Sequence, residues 1–243
     1  MEPQLKPLSE RKRLLGHALG YDAAREAAVA PEARKVLRNT YLLLALTMVP
    51  TVIGAFIGMA TSGFVLTYPL ASTLIMLAGV IGLQYGIAAN RHNGLGIALL
   101  LLMTGILGWW LGPILNFALK LSNGMQLVGY AAVGTGVIFF AMGAVATTTK
   151  RDFSFMGKFL FVGMIALLVA MVANMFLQIP ALALTISTLV IVVFSLFLLH
   201  DLNRIVRGGE TNYVMAATGV YMSLYNVFAN LLILLMALAG GRR

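Results

Sequence analysis

The 243-residue chain contains no cysteine, which excludes disulfides and thiolate metal sites. Charge is scarce as well: Asp, Glu, Lys and Arg make up 10% of the residues, where a soluble domain carries about a quarter. Acids are the scarcer sign, eight against seventeen Lys and Arg. With 60% of its residues hydrophobic, the chain cannot cover a globule of its size in polar groups. The surplus apolar surface requires a bilayer.

The net charge of +9 does not point to nucleic acid, because that reading needs the basic residues gathered on one soluble face. Thirteen of the charged residues lie in the first 40 positions, two are Arg242 and Arg243, and ten serve the whole stretch between. Between those ten run seven segments long enough to cross a membrane, at about 41–60, 66–89, 95–116, 127–147, 156–177, 181–203 and 213–238. Segments such as LLVAMVANMFL are continuously apolar rather than alternating, which excludes a strand-built barrel. The expected fold is therefore an all-α integral membrane protein with seven transmembrane helices. A Thr/Ser/Gly turn joins the first two spans, and Gln178-Ile179-Pro180 joins the fifth and sixth. Such short links impose antiparallel neighbours.

Residues 1–40 mix both signs of charge with Ala and Pro, a composition expected of a flexible tail; residues 41–243 form the membrane domain. No cleavable signal peptide is expected, because no apolar core precedes Tyr41. Placing the amino terminus in the cytoplasm puts fourteen Lys and Arg inside and three outside, as the positive-inside rule requires. The carboxyl terminus is then periplasmic.

Small residues recur at helix-packing spacing: Gly82 and Gly86, Gly108 and Gly112, and the series Gly129, Gly134, Gly136 and Gly143. In the seventh span Gly219, Ser223, Asn226 and Asn230 share one face. Their polar groups either bond to neighbouring helices or line a wet path. Asn174 and Gln178 form a similar pair on the fifth span. Asp201, beside His200, is the one acid in an otherwise apolar run. In low dielectric it needs a cation or donors to stay ionised, which Arg204 or Arg207 is placed to supply. Gly208-Gly209 stops this helix, and Thr211 or Asn212 is placed to cap the next.

The segments VLRNTY (36–41), LGPILN (111–116), TTTKRDFSFMG (147–157), MVANMFLQIPAL (171–182) and GGETNYVMAATGVYMSLYNVF (208–228) resemble the Bax inhibitor-1 family, in particular its Gram-negative, YccA-like branch. The resemblance covers residues 36–238. It implies six helices around a central seventh, in the bacterial inner membrane. It also implies a pH-sensitive leak of calcium or other cations, and, for this branch, modulation of the membrane-bound AAA protease FtsH, with the tail as the handle for extraction. The family's leak rests on two aspartates sharing a proton, with an arginine on the second. By that resemblance the first falls on Asp201, the second on Ser223 and the arginine on Asn90. A serine cannot ionise, so the proton-sharing pair is incomplete here.

Two functions compete: a regulator that engages a membrane protease, and a conduit for Ca2+ or protons built on Asp201, His200, Ser223, Asn226, Asn230 and Asn90. An enzyme is not expected, and neither a cofactor nor a metal is. An intramembrane aspartyl protease needs a second acid, and a serine protease needs a Ser–His pair in adjoining spans.

Overall fold

A computed structural model describes the backbone of residues 8–149 and 151–240 and the side chains of residues 31–149 and 151–239. Residues 1–7 of the tail and Lys150, Arg242 and Arg243 of the charge count lie outside the described residues. The described chain forms α1 (Leu8–Ala60), α2 (Ser62–Thr67), α3 (Pro69–Ala89), α4 (Gly94–Leu119), α5 (Gly124–Thr148), α6 (Met156–Leu177), α7 (Pro180–Val206) and α8 (Tyr213–Gly240). Seven of these are long and apolar enough to cross a membrane, α1 through its portion Pro31–Ala60. The all-α, seven-span architecture expected from the sequence is what the chain adopts.

The helices outrun the apolar runs. In lipid and at its border, backbone groups are most readily satisfied within a helix, so helices continue through polar residues where an apolar stretch ends. Helix α1 starts at Leu8 rather than at 41, through a stretch rich in the strong helix formers Leu, Ala, Arg and Glu, and passes the exposed Arg34, Lys35 and Arg38. The second span opens at Pro69, where proline takes the first helical turn without losing a needed donor. The residues before it form the six-residue α2.

Helix α8 occupies the centre. It packs against α7, α5, α1, α4 and α3, and among the side chains described in it only Leu238 is exposed. Helix α6 packs chiefly on α7, and Leu160 is its one buried residue. The largest helix interface joins α1 and α4. A β-carbon on Gly54, Gly58, Gly108 or Gly112 would run into the backbone of the opposite helix. This is close approach through small residues, the usual means by which membrane helices associate. Trp109 Nε1 seals it by donating to Thr61 Oγ1 at 2.8 Å. The other small-residue series divide: Gly134 meets Leu231, whereas Gly82, Gly129 and Gly136 face open space.

Tyr221 anchors the centre. Buried at mid-span, its hydroxyl lies 2.8 Å from Thr51 Oγ1 on α1 and 3.3 Å from the Thr104 carbonyl on α4. One polar atom thus ties three helices together.

Candidate functional site

The α7–α8 connection folds as its residues dictate. Gly208 takes a left-handed conformation (φ 70°) that ends α7, and the Gly209 N–H bonds the Arg204 carbonyl at 2.8 Å. Asn212 Oδ1 accepts from the N–H groups of Val214 and Met215, both at 3.0 Å, capping α8. Its amide donates to the Arg91 carbonyl at 2.8 Å, fastening this loop to the α3–α4 loop.

Behind the loop lies a cavity of about 300 Å³ walled by α3, α6, α7 and α8. Its polar lining is Gln84, Asp201, Arg204, Glu210, Thr218 and Ser223; the rest is Met, Phe, Ala and Gly. Asp201 Oδ1 lies 3.2 Å from His200 Nδ1, with 9% of the His and 20% of the Asp side chain exposed. Two glycines make room for this pair. A β-carbon on Gly157 of α6 would stand 2.9 Å from His200 Nε2, and one on Gly219 of α8 would stand 2.7 Å from Asp201 Oδ2.

The sequence placed Arg204 or Arg207 as cation for Asp201. Arg204 turns instead to Glu210, with Nη2 to Oε2 at 3.3 Å, because the Gly208-Gly209 turn brings residue 210 back over the end of α7. The cavity gathers Asp201 and Ser223 but not the other expected residues. Asn226 and Asn230 donate to the carbonyls of Met222 and Asn226, both at 2.8 Å, inside their own helix. Asn90 bonds the Gly86 carbonyl at 2.9 Å and closes the end of α3. Asn174 Oδ1 accepts from the Ile179 N–H at 3.1 Å, and Gln178 is left-handed with φ 52°. That pair is therefore a helix-ending device, not a path.

Asn203 escaped the sequence reading. Fully buried, its Oδ1 accepts from the Phe153 N–H at 3.2 Å, and its amide faces the Arg151 and Ala146 carbonyls at 3.4 and 3.5 Å. It holds the α5–α6 loop against α7. An amide two positions after an intramembrane acid was the available signal. In that loop the hydroxyl and N–H of Ser154 keep the exposed Asp152 carboxyl below its usual range. Among the described residues no group of three or more His, Cys, Asp or Glu is placed to hold a metal ion.

The helices and this acid-bearing cavity define a polytopic α-helical membrane protein. A family model described as "Inhibitor of apoptosis-promoting Bax1" matches residues 33–240, and the chain belongs to that Bax inhibitor-1 family. It is 41% identical to "Modulator of FtsH protease YccA" of Escherichia coli over 201 residues, covering 83% of this chain and 89% of that protein. Uncharacterised proteins of Neisseria meningitidis (39% identical, covering 84% of this chain and 92% of that one) and Pseudomonas aeruginosa (37%, 86% and 92%) are similarly related.

Proposed function

We propose that the protein is a non-catalytic regulator in the bacterial inner membrane that binds the membrane AAA protease FtsH and restrains it. The observation that carries this reading is the 41% identity, across 83% of the chain, to a protein named as a modulator of that protease. The shape of α1 supports it. Its helix continues for residues 8–30 ahead of the apolar portion Pro31–Ala60, a length of about 35 Å at 1.5 Å per residue. With the amino terminus cytoplasmic, the side favoured by the Lys/Arg asymmetry, this extension meets the compartment in which an AAA ring pulls on its substrates. The chain is then both ligand and occasional substrate of the protease.

The test is crosslinking to the protease combined with turnover of the full chain and of a chain lacking residues 1–30. That deletion stops short of Ala33, which is buried. The reading expects a crosslink and slower turnover of the shortened chain. No crosslink together with unchanged turnover overturns it.

A second reading, a conduit for Ca2+ or protons, draws on the cavity that joins Asp201 to Ser223. Ion flux in vesicles that is altered by Asp201→Asn supports it, and no flux above empty vesicles at any pH ends it.

A further inference from the structure

The cavity beside Asp201 has polar atoms that the protein leaves unsatisfied. Among the described residues, His200 is the one hydrogen-bond partner of the Asp201 carboxylate, and it meets Oδ1; Oδ2 is turned toward Gly219. Arg204, which lines the same cavity, is engaged by Glu210. Ser223, only 2% exposed, lines the same cavity, and its hydroxyl makes no hydrogen bond among the described residues. A helix serine or threonine can instead bond the carbonyl one turn back. Thr218 of the same helix does so, as does Ser195 of α7. A carboxylate oxygen and a hydroxyl that open on a cavity walled by Met164, Phe194, Phe197 and Met222 are placed to bond a ligand that enters it.

Their chemistry selects the ligand. With Asp201 and Glu210 against Arg204, the lining carries one excess negative charge, so the group it completes is a cationic donor. Arg204 keeps guanidinium N–H groups to spare, since its side chain is 40% exposed and meets Glu210 through Nη2. Asp201 and Arg204 stand three residues apart on one face of α7, about 5–6 Å between β-carbons. A cationic amine joined to a phosphate by a two-carbon bridge spans a similar distance. Access is from the side: α3 and α6 flank the cavity, yet α3 packs on α4 and α6 on α7, with no packed interface between the two.

We propose that this cavity binds the headgroup of an aminophospholipid. The primary ammonium sits between Asp201 and Ser223, the phosphate lies on the free edge of Arg204, and the lipid enters between α3 and α6. Methylation of the amine removes donors without removing charge, so the site distinguishes a primary ammonium from a quaternary one.

The test uses the full chain in mild detergent, with lipid retention read by native mass spectrometry. The probes are phosphatidylethanolamine, its N-methyl and N,N-dimethyl forms, and phosphatidylcholine. Retention is expected to fall along that series by about tenfold overall, the factor carried by one charge-assisted hydrogen bond. Asp201→Asn and Ser223→Ala are expected to flatten the series while circular dichroism stays unchanged. Should Asp201→Asn fail to fold, the wild-type series and Ser223→Ala decide. Equal retention of all four lipids by the wild-type chain overturns the proposal. Displacement of bound lipid by soluble phosphoethanolamine at equal concentration overturns the membrane as the source.

Discussion

Asp201 on α7 and Gly219 on α8 are in direct apposition: a β-carbon at residue 219 would lie 2.7 Å from Asp201 Oδ2. The acid occupies its cavity because the central helix carries hydrogen instead of a side chain at that point. Gly219→Ala must therefore push the carboxylate aside. Because the obstacle is the end of a side chain that borders a cavity, the expected cost is about 1 kcal/mol or less, at or below the low end for overpacking, measured by reversible unfolding in mixed micelles. Gly219→Ala should also weaken any ligand selectivity that depends on Asp201.

Glycines that look alike in the sequence should respond in opposite directions. At Gly108 and Gly112 the obstacle to a β-carbon is backbone of α1, which cannot rotate away. Gly108→Ala should cost about 3 kcal/mol or more, at the upper end for overpacking. Gly129, with nothing near it, should accept Ala with a gain of about 0.5–1 kcal/mol from reduced backbone entropy loss. Unfolding midpoints of the two variants, measured side by side, check this.

Asn203→Ala removes the acceptor of the Phe153 N–H and the donor facing the Arg151 carbonyl. About 1–3 kcal/mol is expected for groups left unpaired. Because the loss is local, faster amide exchange at residues 151–155 should accompany it, with α8 unaffected.

Asp152 sets a pH expectation for the same loop. Its carboxyl is held below the ordinary range by the hydroxyl and then the N–H of Ser154. The turn's stabilisation is therefore fully present above the ordinary aspartate range and is lost as pH falls through the lowered value. Between pH 6 and pH 8 the loop's amide exchange, corrected for its intrinsic pH dependence, should be constant. Ser154→Ala should move the carboxyl titration, followed by NMR, upward.

What the sequence disclosed was what depends on neighbours along the chain. Scarcity of charge marked seven spans, Gly208-Gly209 marked a stop and Thr211 or Asn212 a cap, and Asp201 stood out because nothing acidic surrounds it. What stayed hidden depends on which helices touch. Glu210 reaches Arg204 only through the turn between them, and Tyr221 meets Thr51 across 170 positions. Asn226 and Asn230 share the face predicted for them, yet bond within their own helix; face assignment alone does not tell an interhelical bond from a local one. Glycine spacing likewise marked Gly82 and Gly112 equally, and only packing separates them.

Degradation of a model membrane protein by purified FtsH in proteoliposomes, with and without this chain co-reconstituted, tests the central claim most directly. The account predicts that the full chain slows degradation in proportion to its ratio to protease, and that the chain lacking residues 1–30 is itself degraded more slowly. A substrate half-life unchanged at a severalfold excess of the full chain, with both proteins shown to be inserted and folded, would contradict it.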